Sequence, residues 1–239
     1  ERPMTALVVV VAVVLGLVVG LAVDRAAARY PWPPQKRSWS SRADTPVGTG
    51  VSPPELHDRG TRRWVVAVGT ALLFALAALR FGASWALPAY LFLAGAGMCL
   101  AAIDLQHSKL PNRVVVPSIG IGAALLALAA AGEHAWPALL RAGIAGVTLF
   151  AVFLVLALIS PRSLGMGDVK LAALLGLYLG WLGWGAVLLG TAAGFVVQAL
   201  VALVLLATRR ISLRGELPFG PAMLLGAALV IGWSGALLP

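Results

Sequence analysis

The chain alternates long apolar runs with short polar segments, a pattern that predicts helices crossing a membrane. A helix needs roughly 20 apolar residues to span a hydrocarbon core of about 30 Å. Apolar runs of this kind lie at Met4–Val23, Trp64–Leu79, Leu87–Ile103, Val114–Ala131, Trp136–Ile159, Val169–Thr208 and Leu217–Leu238. The sixth run is too long for one helix, and "GWLGWG" at its centre predicts a turn with two interfacial tryptophans. The pattern therefore predicts an all-α polytopic membrane protein with about eight transmembrane helices.

Composition supports this prediction. Hydrophobic residues make up 60% of the chain and charged residues 11%, whereas soluble domains average about 25% charged residues. The net charge of +9 would suggest nucleic acid as a partner of a soluble protein. Here the basic residues lie between apolar runs, which indicates loops that contact anionic membrane lipids and no nucleic-acid partner.

The basic residues also predict an orientation. With eight spans, 15 of the 18 Lys and Arg residues fall in four loops on one face, and Arg2, Arg80 and Arg141 fall on the other. Positive residues are retained in the cytoplasm, so these four loops are predicted to be cytoplasmic and both termini external.

The first cytoplasmic loop divides the chain. Residues 24–63 are rich in proline, serine and charge and show no apolar periodicity, which is typical of a flexible linker. We therefore expect a first transmembrane helix at 1–23, this linker at 24–63, and a seven-helix membrane core at 64–239.

Two acidic residues stand out from the nine in the chain. Asp104 ends the third apolar run in "AAIDLQHSKLPNRVVVP", and Asp168 opens the sixth in "GMGDVKL". Both are predicted at the cytoplasmic boundary, where a carboxylate is costly and usually functional, although either could be only a helix cap. If the two met, one proton would be shared, and the pair could hydrolyse a peptide bond by general acid–base catalysis.

Two glycines precede the second aspartate. Gly165 and Gly167 can adopt unusual dihedral angles and let another backbone lie against theirs, which would suit a site that holds an extended peptide. They could equally serve only helix packing. The glycine pairs Gly16/Gly20, Gly176/Gly180 and Gly190/Gly194 are interpreted as helix-packing contacts.

Three segments together resemble the type IV prepilin leader peptidases, membrane aspartic peptidases of the GxGD kind. They are "GMGDVKL", "DLQHSKLPNRV" and "LPFGPAMLLGA", and "GLVVGLAVDRAAARYP" looks like a diverged form of the family's first-helix end. The resemblance implies that Asp104 and Asp168 are catalytic. It also implies that the chain removes the basic leader of prepilins or pseudopilins at the cytoplasmic face of a bacterial or archaeal inner membrane.

The cofactor requirements follow from the same resemblance. Proteolysis by two aspartates needs none, whereas methylation of the new N-terminus, an activity of many members, would use S-adenosylmethionine. Many of those members bind zinc through two CxxC pairs in the first cytoplasmic loop. Here that loop has no cysteine, and Cys99 lies in an apolar run, so no such zinc site can form. Methyl transfer is left open.

Supporting roles are assigned to residues beside the aspartates. Lys170 could lower the pKa of Asp168 or meet a substrate carbonyl, or it could simply extend to lipid headgroups. "PFGP", comprising Pro218, Phe219, Gly220 and Pro221, predicts an irregular helix start that accommodates substrate.

An alternative function is a small proton-coupled transporter in which Asp104 and Asp168 relay protons. Transporters often contain repeated halves, and no internal repeat is evident here, which favours the peptidase.

Overall fold

The computed structural model describes residues 2–29, 56–107, 110–160, 164–208 and 217–237. Within these ranges the chain is helical. The helices are α1 (Arg2–Arg29), α2 (Leu56–Phe81), α3 (Leu87–His107), α4 (Asn112–Glu133), α5 (Trp136–Ile159), α6 (Met166–Leu182), α7 (Trp184–Ala207) and α8 (Gly220–Leu237). The eight predicted helices are thus found, each close to its apolar run.

Six of these helices, α1 to α5 and α7, are long and apolar enough to cross a membrane. Helix α6 has 17 residues, and most of its side chains, from Val169 to Trp181, are buried within the protein. A helix that is apolar and buried all round is a core helix. The fold is therefore that of a polytopic membrane protein with α6 at its centre.

The break between α6 and α7 falls at Gly183, as the sequence pattern predicts. Gly183 has φ of +143°, a backbone conformation that residues with a Cβ rarely adopt. The chain turns there without a loop, and α7 begins at the next residue, Trp184.

Consecutive helices pair through small residues, with α1 on α2, α5 on α6 and α7 on α8. A Cβ added to Gly16 would lie 2.6 Å from Cα of Ala71, and one added to Gly176 would lie 2.8 Å from Cα of Gly146. Gly194 likewise packs directly against Gly226. The interpretation of these glycines as helix-packing residues is confirmed, since such contacts let helix backbones approach closely.

The linker predicted at residues 24–63 lies largely outside the described residues. Helix α1 continues to Arg29 and α2 begins at Leu56, so both helices extend beyond the predicted boundaries. The division into a first helix, a linker and a seven-helix core remains a proposal.

Candidate active site

Four helix ends meet around the two aspartates. Asp104 is in the last turn of α3 and Asp168 is in the first turn of α6. The start of α8 contacts Asp104, and Leu110, just before α4, contacts residues beside both aspartates. The fold thus brings together residues that are 64 positions apart in the sequence.

Asp104 is buried, with 4% of its surface exposed. Its Oδ2 accepts a hydrogen bond of 3.1 Å from the backbone N–H of Gly220, the first residue of α8. The first N–H groups of a helix have no partner within the helix, and the helix dipole favours negative charge there. The start of α8 therefore holds the Asp104 carboxyl in place.

The absence of a side chain at Gly220 leaves room for this contact. A Cβ at position 220 would lie 2.7 Å from Oδ2 of Asp104 and 3.5 Å from Cδ1 of Leu110. The backbone of α8 can approach the carboxylate because no side chain stands between them.

Asp168 is the third residue of α6, where its carboxylate folds back over the helix start. Its Oδ2 accepts a hydrogen bond of 3.1 Å from the N–H of Gly165, the N-cap residue. This is half of a capping box, since glycine has no side chain to complete the other half. The turn fixes the orientation of the carboxylate without any partner from another helix.

Asp168 precedes the apolar run that begins at Val169 and lies outside the six long spans. Burial raises the pKa of the Asp168 carboxyl above its ordinary value, and the hydrogen bond from Gly165 opposes this shift. A carboxyl with a raised pKa holds its proton more readily near neutral pH.

The two carboxyl groups share Leu110 as a neighbour, since its Cδ1 lies 3.5 Å from where a Cβ of Gly220, the donor to Asp104, would be. Leu110 connects their surroundings, because its Cβ lies 2.7 Å from where a Cβ of Gly167 would be. The predicted close approach of another backbone at Gly167 is therefore found, with the carbonyl oxygen of Leu110 at 3.4 Å from the same point.

Gly165 and Gly167 do not adopt the unusual dihedral angles that glycine allows, so this expectation is wrong. Gly165 has φ of −82° and ψ of 155°, an extended conformation open to any residue, and Gly167 is helical. The nearest atom to a Cβ at position 165 would be Oδ2 of Asp168 at 3.6 Å, an ordinary contact. Of the two glycines, only Gly167 is required by packing.

Lys170 points to α4 in the structure. Its Nζ donates a hydrogen bond of 2.7 Å to Oδ1 of Asn112, the first residue of that helix. Its ammonium group is thus engaged by Asn112 and not by Asp168. The sequence analysis did not identify Asn112 as the partner of Lys170, because the two are 58 positions apart.

The residues of "PFGP" lie in different surroundings. Phe219 is buried in an aromatic cluster, with its ring centroid 5.2 Å from that of Phe195 and 6.3 Å from that of Phe153. Pro218 precedes α8, and Pro221 lines an apolar cavity. Only Gly220 of the four hydrogen-bonds to an aspartate.

In the part of the chain that the structure describes, no three His, Cys, Asp or Glu residues are grouped as a metal site would require. The described donors at this site are two carboxylates, which is the set for acid–base chemistry.

The sequence of this chain matches a known protein family. The model of the type IV leader peptidase family matches residues 91–233, which include both aspartates. A protein of Pseudomonas aeruginosa named prepilin leader peptidase/N-methyltransferase is 30% identical over 177 residues, covering 73% of this chain and 59% of the relative. A protein of the same name from Bacillus subtilis is 33% identical over 163 residues, covering 67% and 61%.

A third relative of that name, from Pseudomonas putida, is 31% identical and covers 71% of this chain and 58% of its own length. This chain thus spans less than two thirds of the length of these curated relatives. No solved structure matches it. The family model covers more than half of the chain, and the chain belongs to the type IV leader peptidase family.

Proposed function

We propose that this protein is a membrane aspartic endopeptidase that removes the basic leader from type IV prepilins or pseudopilins. The observation that carries the proposal is the meeting of Asp104 and Asp168 at one end of the bundle, each held by a glycine N–H at a helix start. The relatives, named as prepilin leader peptidases, support the same reaction.

The chemistry requires one shared proton. Two carboxyl groups in one site do not both ionise readily, so the pair holds a proton between them near neutral pH. The ionised member takes a proton from water as the water attacks the scissile carbonyl carbon. The protonated member donates to the carbonyl oxygen. Protonation belongs to the pair and is not assigned to either residue.

The orientation of the carboxylates suits this reaction. Each aspartate uses Oδ2 for its hydrogen bond to a backbone N–H, so we assign Oδ1 of each to the water and the scissile carbonyl. Those two hydrogen bonds hold the carboxylates before substrate arrives, which lowers the reorganisation needed during catalysis.

Supporting roles are assigned by position. The exposed, extended backbone at Gly165 would lie beside the extended substrate, and Gly167 would let Leu110 close the site. Lys170 would set the spacing of α6 and α4 through Asn112, and the segment Pro218–Pro221 would shape the entry from the membrane.

We place the site at the cytoplasmic face of the inner membrane. Both aspartates are at the helix ends that border the four predicted cytoplasmic segments, which carry 15 of the 18 basic residues, and positive segments are retained in the cytoplasm. A prepilin leader is basic and cytoplasmic, so the scissile bond would reach the carboxylates at this boundary.

The names of the relatives also include N-methyltransferase. We leave methyl transfer outside the proposal, since no described residue points to a site for S-adenosylmethionine. Incorporation of labelled methyl groups from that cofactor into cleaved pilin would measure the activity directly. A proton-coupled transporter, the alternative function, finds no support in the comparisons.

The test is cleavage of a model prepilin, a basic leader ending in glycine followed by a 20-residue apolar segment, by purified protein in detergent. Mass spectrometry should find the cut directly after the leader. Asp168→Asn should abolish it, while Glu133→Gln, a carboxyl change at the opposite end of α4, should leave it intact. Normal cleavage by Asp168→Asn would refute the proposed function.

A further inference from the structure

An apolar cavity of about 290 Å³ lies between α2, α3 and α8. One end of it is next to the aspartates. Pro221 in its wall directly follows Gly220, the donor to Asp104, and Ala101 in its wall is one helical turn before Asp104. One end of the cavity therefore lies beside the candidate active site.

From there the cavity runs along more than half of the length of α3 and α8. On α8 its lining runs from Pro221 to Gly232, and on α3 from Ala101 back to Tyr90. Each stretch covers 11 steps of helix, or about 16 Å at 1.5 Å per residue. This is roughly half of the hydrocarbon thickness of about 30 Å.

The lining suits an apolar helix. The hydroxyl of Tyr90, a polar group in the lining, is already engaged as a donor to the backbone oxygen of Tyr178 at 2.9 Å. A ligand in the cavity would find no charged side chain among the lining residues, so its own backbone hydrogen bonds would have to be made internally, as in a helix. Gly97 and Ala228 in the walls are small, which permits close approach of another helix.

We propose that this cavity receives apolar side chains from the first turns of the segment that follows the scissile bond, an inference that rests on the proposed peptidase function. That segment is covalently joined to the bond being cut, so it must begin next to the carboxylates and continue into the membrane. The cavity likewise begins next to the aspartates and runs along the membrane-spanning helices away from them. Its volume is about twice that of a cavity that binds benzene, which is room for roughly two large apolar side chains.

The experiment fills the cavity and compares two substrates. Ala228→Trp places an indole in its wall eight residues beyond Gly220, and Ala199→Trp is the matched control on an exposed position of α7. The first substrate is the model prepilin with its 20-residue apolar segment. The second has the same leader and junction followed by only six residues.

Ala228→Trp should lower kcat/KM for the long substrate at least ten-fold, mainly through KM, and leave cleavage of the short one within two-fold of wild type. Ala199→Trp should cleave both normally. Unchanged cleavage of the long substrate by Ala228→Trp would overturn the proposal and leave a lipid as the occupant. An equal loss on both substrates would also overturn it, as a structural effect.

Photo-cross-linking keeps the test decisive if the short substrate is cut too slowly to measure. A cross-linker four residues after the scissile bond should label α3 or α8 near Met98 and Leu224, both in the cavity lining. Labels confined to α5 or α7 would contradict the proposal. A wild-type protein that cuts neither substrate would instead refute the proposed function, and this inference with it.

Discussion

Replacing Gly220 with alanine isolates the contact between α8 and Asp104. A Cβ at position 220 would lie 2.7 Å from Oδ2 and 3.4 Å from Cγ of Asp104. Carbon–oxygen contacts of about 3.3 Å or more are normal, so the carboxylate or the helix start must move by roughly 0.6 Å. This movement would stretch or break the 3.1 Å hydrogen bond from the Gly220 N–H.

The expected loss of activity follows from that bond. A hydrogen bond to a charged group contributes about 1.5–3 kcal/mol. If the transition state loses this contribution, kcat/KM falls about 10- to 150-fold. Displacement of a catalytic group by a fraction of an ångström acts in the same direction.

Stability should change much less than activity. Alanine is favoured over glycine within a helix by up to about 1 kcal/mol, which offsets part of an overpacking cost of about 1–3 kcal/mol. Gly120→Ala in α4 is the matched control, because a Cβ there meets nothing within 4 Å. It should retain both activity and thermal stability.

The assay measures kcat/KM on the model prepilin together with the melting temperature in the same detergent. Gly220→Ala should melt within a few degrees of wild type yet cleave at least ten-fold more slowly. If a folded Gly220→Ala protein cleaves within two-fold of wild type, the positioning of Asp104 by α8 is not required for catalysis.

Further predictions concern the GxGD glycines and a buried tyrosine pair. Gly167→Ala should lower cleavage at least ten-fold, because the new Cβ would lie 2.7 Å from Cβ of Leu110. Gly165→Ala should be tolerated, because the atom nearest to its new Cβ would be 3.6 Å away. Equal effects of the two variants in the cleavage assay would contradict the packing argument. Tyr178 is fully buried, and its hydroxyl has no hydrogen-bond partner among the described residues, so Tyr178→Phe should leave the melting temperature unchanged or raise it. Tyr90→Phe removes the hydrogen bond to the Tyr178 backbone oxygen and should destabilise the protein by about 1 kcal/mol. A Tyr90→Phe protein that melts at a higher temperature than Tyr178→Phe would refute this interpretation.

Much of the fold was predictable because the bilayer restricts what a chain can do. Each span must satisfy its backbone hydrogen bonds internally and must be about 20 apolar residues long. These two requirements make the approximate positions of the eight described helices predictable. The glycines around Gly183 also indicate the division between α6 and α7. The short, buried α6 was not foreseen as the central helix, since burial inside protein and burial in lipid select the same residue types.

The sequence singles out the two aspartates of the candidate site but does not indicate their geometry. The sequence pattern predicts that Asp104 and Asp168 lie at the same membrane boundary, yet which helices lie side by side depends on packing between distant segments. The contact of Gly220 with Asp104 and that of Lys170 with Asn112 span 116 and 58 residues, and no local pattern indicates either.

The packing of Phe219 illustrates the same limit. Its motif predicts an irregular helix start beside the aspartates, and the neighbouring Gly220 does contact Asp104. Phe219 itself packs with Phe195 and Phe153. Those partners are on α7 and α5, and aromatic residues within apolar runs carry no signal of which helix they will meet.

The central claim is that Asp104 and Asp168 act as one unit on one water molecule. The most direct test compares cleavage rates of Asp104→Asn, Asp168→Asn and the double variant on the model prepilin, with folding checked by thermal melting. For groups that act together, each single change costs about as much as both, so all three proteins should show the same residual rate. Substantial cleavage by either single variant, or losses that multiply in the double variant, would contradict the account.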